Sequence, residues 1–348
     1  MRYDTNLLET FASHILQSVG LDSNKADVVA HKLVAAEAMG HNTHGLAYLP
    51  FYVKALKNGA MTSTGGVDTL KDTGPILAWH GRRLSGIWLM DEALKLACQR
   101  AKQFGICMMT IREAHHTGCL AAYLPYIAQE GLVGYIAVSG PSGKSVVPFG
   151  GKTPVLTPNP FAMCIPTNDV PIMIDMSCSI TTNTMAEILQ KHERVFPGKW
   201  AQDHEGCATN DPTVVLDEPK GGLLPMGGVT YGHKGFALAV MVEALSQGLA
   251  GYGRADIPTG SQTNVFIQIT DPEAFAGLEA FKRQMSYLVS ACLASEPIDP
   301  LKPVRLPGMA AMKGIEDAKE KGVLLSDDII ESLHTLASNH NIRLPITH

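Results

Sequence analysis

The chain of 348 residues is 45% hydrophobic and 18% charged, carries a formal net charge of −5, and holds 33 glycines and 21 prolines. That length suffices for about two domains of ~150 residues with a full core, and a mildly acidic balance lacks the basic footprint of a nucleic-acid-binding protein. No apolar run reaches the ~18 uncharged residues of a membrane span, because the longest candidate, Gly235 to Gly251, has Glu243 in its middle.

Met1-Arg2-Tyr3-Asp4 is not a basic segment leading into an apolar one, so no secretory leader is expected. The seven cysteines are scattered, mostly in apolar stretches, as reduced core thiols are, which points to a cytoplasmic protein. The expectation is a soluble protein acting on a small molecule, with 13 histidines, several of them paired, as its odd feature.

Leu7, Leu8, Phe11, Ile15, Leu16 and Val19 recur at helical spacing and predict a helix ending at Gly20. Asp22 or Ser23 caps a second helix through Ala26, Val29, Ala30, Leu33 and Val34, which stops near Gly40, and Leu49 to Leu56 predicts a third. From about residue 63, β-rich runs (Ile76–Trp79, Ile106–Thr110, Val133–Val138, Ile172–Asp175) alternate with helical stretches (Met90–Phe104, Ala121–Glu130), the rhythm of an α/β layer. The Gly/Pro-rich band Ser139–Pro171 predicts a structured loop region against a ligand or partner. Phe236–Leu249 predicts a long buried helix, Phe266–Ile269 a strand, and Phe275–Ala294 an amphipathic helix. Four prolines between Glu296 and Pro307 mark a linker before two closing helices, the last opened by Leu324, Ser326 and Asp327.

The glycine fingerprint G-x-G-x-x-G of a Rossmann enzyme is absent, and its nearest approach, Gly251-Tyr252-Gly253-Arg254-Ala255-Asp256, lacks the third small residue. No Walker A loop is present either. Four stretches carry chemistry instead. His41-Asn42-Thr43-His44-Gly45, just past a helix end, offers two imidazoles for acid–base work or for a metal. Taken alone it reads more simply as a polar turn, and without H-E-x-x-H or C-x-x-C no metal is expected. Arg112-Glu113-Ala114-His115-His116-Thr117-Gly118 lies at a strand-to-helix junction, where α/β proteins place functional groups. The turns Pro148-Phe149-Gly150-Gly151, Thr157-Pro158-Asn159-Pro160 and Asp175-Met176-Ser177-Cys178-Ser179 bring side chains that bond either their own backbone or a ribose or amide. Gly232-His233-Lys234-Gly235 opens the apolar helix; a lysine there opposes the macrodipole, so an anion such as a phosphate is expected beside it.

In this order and spacing these stretches resemble the type-2 malate/L-lactate dehydrogenase family, whose relatives include sulfolactate and ureidoglycolate dehydrogenases, 2,3-diketogulonate reductase and piperideine/pyrroline-2-carboxylate reductases. The matching parts are Thr43-His44-Gly45, His115-His116-Thr117-Gly118, Pro148–Gly151, Thr157-x-Asn159-Pro160, Asp175-Met176-Ser177, Leu224-Pro225 and His233-Lys234-Gly235. The resemblance implies an α/β fold: a non-Rossmann, nicotinamide-binding mixed sheet with helices, plus a discontinuous helical domain from both termini. The expected division is residues 1–75 and 300–348 for the helical substrate and dimer domain, and 76–299 for the cofactor-binding domain.

The implied function is NAD(P)-dependent hydride transfer interconverting a small 2-oxo (or cyclic 2-imino) acid and its 2-hydroxy (or amino) counterpart, in a homodimer. His44 matches the proton donor and acceptor, and His116 the second active-site histidine. Thr43, Tyr48, Tyr52 and Thr117 fall where substrate is bound. Ser139, Thr157, Asn159, Asp175, Met176, Ser177 and Ser179 match nucleotide contacts. His233 and Lys234 match a pyrophosphate-side pair, and Arg305 and Gly308 a loop closing over the cofactor.

Three positions depart from the family pattern. Tyr48 stands where many relatives carry an arginine able to clamp a distal carboxylate, which disfavours malate and ureidoglycolate. Met185 replaces a charged residue and tilts the reading toward ketone reductases. Gly308-Met309-Ala310 replaces Gly-x-Glu. NAD versus NADP is unresolved: Ser142 and Lys144, in the loop before Pro148, could receive a 2′-phosphate, but a solvated lysine is the simpler reading. Two readings from other classes stand beside this one: a metal-dependent hydrolase using His41, His44, His115 and His116, and a catalytically idle dinucleotide-binding protein.

Overall fold

In a computed structural model, residues 1–346 are described. After the two-residue strand β1 (Arg2–Tyr3), helix α1 (Thr5–Ser18) starts where the Asp4 carboxylate accepts from Leu7 N–H at 2.9 Å. It buries Leu8, Phe11, Ile15 and Leu16, the residues that set its spacing. Helix α2 (Ser23–Ala38) begins at Asp22, whose carboxylate pairs with Lys25 at 2.6 Å instead of capping the backbone. Two 3₁₀ turns, Asn42–His44 and Leu46–Tyr48, lead into α3 (Leu49–Lys57), with Pro50 in its first turn.

Next come β2 (Asp68–Asp72), β3 (Ile76–His80), α4 (Gly86–Phe104) and β4 (Ile106–Ala114). The stretch predicted as one helix over Ala121–Glu130 is a 3₁₀ turn, Leu120–Tyr123, followed by α5 (Leu124–Gln129), because Pro125 cannot donate within a continuous helix. Strands β5 (Val133–Ser139), β6 (Phe161–Ile165) and β7 (Ile172–Met176) follow. The Ser139–Pro171 band is therefore not all loop: Ala162 and Cys164 of β6 face the core. Helix α6 (Asn183–Lys191) precedes a small antiparallel sheet built from β8 (Ala201–Gln202), β9 (Ala208–Thr209) and, after the one-turn α7 (Thr213–Leu216), β10 (Gly222–Leu223). Helix α8 (Gly228–Glu243), β11 (Thr263–Thr270), α9 (Leu278–Leu293), α10 (Met309–Lys321), β12 (Val323–Leu324) and α11 (Asp327–His340) complete the chain.

Seven strands form one mixed sheet in the order β2-β3-β4-β11-β5-β6-β7. Only β3 and β4 run parallel, joined over the sheet by α4, and every other pair is antiparallel. Strand β11 arrives from far along the chain and inserts between β4 and β5, with Val265, Phe266, Ile267 and Ile269 buried on both faces. This central insertion excludes the doubly wound Rossmann order and accounts for the missing glycine fingerprint. The mixed α/β sheet expected from the sequence is what forms.

A separate core joins the two chain ends. Leu8, Phe11, Ile15, Leu33 and Leu49 pack in one cluster with Ala318, Val323, Ile329 and Leu333, and β1 pairs with β12. On the sheet, α4 and α5 cover one set of buried side chains, while Phe196, Ala239, Val242 and Phe266 belong to another.

Helix α8 departs from expectation in two ways. It begins at Gly228, so His233 and Lys234 sit in its second turn, where no free N–H row is available for an anion. It is also not buried all round: Val240 is 50% exposed, and Leu249, beyond the helix end, 58%. Glu243, the charge that interrupts the apolar run, turns inward to Arg254 at 2.7 Å and Asn159 at 2.8 Å.

Candidate active site

A cavity of ≈ 460 Å³ opens where the turn after α2, the loop after β4, the ends of β5 and β7 and the segment before β11 converge. Three glycine-dependent contacts shape its walls. Gly45 lies against a buried carboxyl, since an added Cβ would sit 2.2 Å from Glu37 Oε2, and the same oxygen accepts from Leu46 N–H at 2.9 Å. The turn bearing His44 is thus clamped onto α2. Gly86, in the first turn of α4, presses on the backbone of the paired histidines: a Cβ there would stand 2.0 Å from His115 O. Gly143 allows the loop after β5 to lie on Thr157, whose methyl would be 2.3 Å from a Cβ.

Because α4 cannot retreat from the sheet, Gly86→Ala is expected to push the His115–His116 peptide out of place. The cost should be at least ~1–3 kcal/mol of stability, as for overpacking in general. Denaturant unfolding together with turnover checks this; unchanged stability and turnover would contradict the close packing.

The paired histidines separate in role. His115 is buried with neither ring nitrogen bonded among the described residues, and it packs against Phe51 at 5.4 Å. Burial pushes it down to about 4, so it is a neutral core aromatic. His116 faces the cavity. Its Nδ1 receives the Tyr52 hydroxyl at 2.7 Å and Gly118 N–H at 3.3 Å, which makes Nδ1 the acceptor and puts the proton of the neutral ring on Nε2. Burial, then the neighbouring His44 and His115, push His116 down to about 3. His44 Nδ1 lies 3.0 Å from Thr43 Oγ1, and burial followed by the nearby His41 holds this ring down at about 4. The two cavity imidazoles are 6.0 Å apart between ring centroids.

Tyr48 stacks on both of them, at 4.8 Å from His116 and 5.4 Å from His44, and its hydroxyl meets Thr184 Oγ1 at 3.1 Å. Tyr52 is fully buried behind His116 and lines no part of the cavity. Replacing it by phenylalanine removes one of two donors to Nδ1, an interaction of ~1 kcal/mol. A roughly tenfold fall in turnover is expected, with the imidazole ¹⁵N shifts of His116 moving toward a mixed tautomer; an unchanged ¹⁵N pattern would contradict the assigned bond.

Of the residues singled out in the sequence, Thr43, His44, Tyr48, His116, Thr117, Ser139, Thr157, Asp175, Met176 and Ser177 all line the cavity. Asn159 is buried beneath, accepting from Thr157 Oγ1 at 2.6 Å and donating to Ala239 O at 3.2 Å. Ser179 is also buried, bonded to Thr181 O. His233 and Lys234 are exposed outside the cavity, the first near Phe149 and the second over the Tyr231 ring at 5.4 Å. Arg305 is exposed, and Gly308 packs against Met173. The four histidines of the hydrolase reading do not converge, since His115 turns into the core.

Sequence reasoning missed Thr182, Asn183 and Thr184 at the start of α6 and the Gly260–Thr263 segment, all of which line the cavity. A polar turn ahead of an apolar strand was the available signal. It also missed the role of Arg254: within the near-miss glycine motif, this guanidinium pairs with Glu243 and donates to Gly143 O at 2.6 Å and Gly140 O at 3.2 Å. It braces the glycine loop at the cavity rim.

The lining suits the nicotinamide–ribose end of a dinucleotide. Asn183 Oδ1 is a buried acceptor with no partner among the described residues, and glycines leave backbone room, whereas the Ser139 and Thr157 hydroxyls are already bonded to Ser246 and Asn159. No lysine or arginine lines the cavity, so the residues present define no place for a diphosphate.

A non-Rossmann mixed sheet carrying two neutral histidines in a polar-and-apolar cavity defines a small-molecule enzyme. The profile of the malate/L-lactate dehydrogenases matches residues 3–334, and the chain belongs to that family of oxidoreductases. It is 29% identical over 338 residues to malate/(S)-sulfolactate dehydrogenase of Methanothermus fervidus, covering 95% of each chain. It is 27% identical to hydroxycarboxylate dehydrogenase B of Escherichia coli K12, covering 93% of this chain and 90% of the relative. Malate dehydrogenase from Entamoeba histolytica superposes with a TM-score of 0.93 over 99% of both chains at 24% identity, a likeness of fold.

Proposed function

We propose that the chain is an NAD(P)-dependent oxidoreductase interconverting a small 2-oxo (or cyclic 2-imino) acid and its 2-hydroxy (or amino) acid in this cavity. The observation that carries the reading is the pair of histidines with Nδ1 tied back, His44 to Thr43 and His116 to Tyr52, and no partner on Nε2 among the described residues. When bound, the nicotinamide supplies or accepts a hydride. His44 takes the proton of the hydroxyl on oxidation and returns it to the carbonyl oxygen on reduction. His116 donates its Nε2–H to a substrate oxygen, as a neutral imidazole can at neutral pH. Thr43 and Thr117 add hydroxyls, while Ser139, Thr157, Asp175, Met176 and Ser177 would hold the nucleotide, supported from behind by Asn159 and Ser179.

His233, Lys234, Arg305 and Gly308 enter this reading only as outer contacts of the cofactor, which the cavity itself does not reach. The helical unit is taken as 1–75 with 300–348 and the cofactor unit as 76–299, on the strength of the shared core of the two chain ends, except that β2 (Asp68–Asp72) pairs with β3 and belongs with the sheet of the cofactor unit. A homodimer in the cytoplasm completes the proposal; the exposed Val229 and Val240, which fall on one face of α8, offer apolar surface to a second copy. No helix is long and apolar enough to cross a membrane among the described residues.

Tyr48 sets the substrate class. A neutral ring stacked on both histidines offers no cation to a distal carboxylate, so monocarboxylic 2-oxo acids are favoured. Tyr48→Arg should improve kcat/KM for a 2-oxo dicarboxylate relative to a monocarboxylate by ~10–100-fold, the worth of a charge-assisted bond. An unchanged ratio would remove Tyr48 from substrate selection. The reading as a whole is tested by following nicotinamide absorbance over a panel of 2-oxo acids with NADH and NADPH; failure of both to bind at millimolar concentration would end it.

A further inference from the structure

Within the lining of the cavity, three unlike side chains from three separate elements come together. His41 follows α2, Cys119 lies in the loop after β4, and Asp175 lies near the end of β7. One ligand atom from each lies within 4.8 Å of the other two. We propose that His41, Cys119 and Asp175 form a binding site for one zinc-class divalent cation, with the fourth coordination position open to the cavity.

Distance supports the assignment. Two ligands of a tetrahedral zinc at ~2.3 Å (sulfur) and ~2.1 Å (oxygen) stand about 3.6 Å apart; the Cys119 thiol, donating to Asp175 Oδ2 at 3.7 Å, already holds its sulfur at that spacing. The imidazole nitrogen of His41 lies within 4.8 Å of both, and would have to close to about 3.6 Å to complete the third corner. Ala121 N–H already donates to Asp175 Oδ2 at 2.7 Å, which orients the carboxylate as an outer contact orients a metal ligand.

The charge balance gives a second, independent reason. Asp175 forms no ion pair with Lys or Arg among the described residues, and neither type lines the cavity. An enclosed carboxylate without a cation is costly, and a divalent ion beside it removes that cost. The donor set then decides the class: thiolate with imidazole selects zinc-like ions over magnesium or calcium, which take oxygen ligands. As the metal–sulfur bond forms, the S–H bond of Cys119 breaks and its proton leaves to solvent. A cation held here would compete with any nucleotide that uses Asp175. That consequence rests on the oxidoreductase reading, whereas binding does not, and the experiment reads binding alone.

The test is titration of the full chain, stripped with a chelator, with Co²⁺ as probe. One equivalent should produce the sulfur-to-cobalt charge-transfer absorption of a tetrahedral site, and Zn²⁺ should displace it. Cys119→Ser should abolish the sulfur band, and His41→Gln should weaken Co²⁺ binding by at least about tenfold. Cys207→Ser and Cys292→Ser should leave the band unchanged. X-ray absorption of the cobalt-loaded parent protein should count one sulfur and one imidazole, which keeps the proposal testable if a variant fails to fold. Absence of the band, its survival in Cys119→Ser, its loss in the Cys207 or Cys292 variants, indifference to His41→Gln, or a coordination shell without sulfur would each overturn the site.

Discussion

A His44→Ala variant is expected to bind reduced nicotinamide as the parent does and to turn over 2-oxo acids ~10²–10⁴ times more slowly, the range for losing a positioned acid–base group. The expectation follows from placement. His44 is fixed by the Thr43 hydroxyl and by the turn clamped through Gly45 and Leu46, and none of the residues assigned to the nucleotide hydrogen-bonds to it among the described residues. Burial holds its ring at about 4, so at neutral pH the imidazole of the empty site is uncharged. It is then ready as a base for oxidation, while reduction requires a proton to be taken up with the anionic substrate. The kcat/KM for reduction should therefore fall as pH rises from about 4, whereas that for oxidation should not. Turnover retained in His44→Ala would move the proton to His116.

The second large effect concerns stability. Glu37 is 4% exposed, and its Oε1 has no partner among the described residues. Burial raises its carboxyl from 4.5 to about 7, with the Leu46 N–H pulling the other way. The folded chain thus holds this proton more tightly than the unfolded chain. The resulting stability is complete below about 4.5 and is lost as pH rises through about 7, a difference of roughly 3 kcal/mol. Glu37→Gln keeps an oxygen for Leu46 N–H and cannot ionise. Relative to the parent it should be nearly neutral at pH ~5 and stabilising by up to ~3 kcal/mol at pH ~8. Denaturant unfolding of both proteins at the two pH values checks this, and a difference independent of pH would show that Glu37 does not titrate in this window.

The parts of the fold legible in the sequence are those written in local spacing. The first three helices follow from Leu8, Phe11, Ile15, Ala26, Val29 and Leu33, and β4 and β5 from continuous apolar runs. The cavity was legible where its residues sit in short motifs, as His44, His116, Thr157 and Asp175 do. What escaped depends on contacts between distant segments. Strand β6 hides in a Gly/Pro-rich band because its partners, β5 and β7, are what make it a strand. The exposed face of α8 was read as buried because apolar periodicity reports a face that wants covering, not which molecule covers it. Arg254 was seen only as part of a failed phosphate motif, since its partners Glu243, Gly140 and Gly143 lie up to 114 residues away. Gly86 gave no signal at all; its reason is the His115 carbonyl pressed against it. The meeting of His41, Cys119 and Asp175 is likewise visible only once the loops are folded together.

Hydride transfer in this cavity with His44 as the proton partner is tested with a reduced nicotinamide carrying deuterium at both C4 positions. The product of a turned-over 2-oxo acid would be read by mass spectrometry for the parent and His44→Ala proteins. One deuterium on carbon 2 of the hydroxy acid is expected, formed rapidly by the parent and ~10²–10⁴ times more slowly by the variant. Product without the label, or labelled product formed at the parental rate by His44→Ala, would contradict it.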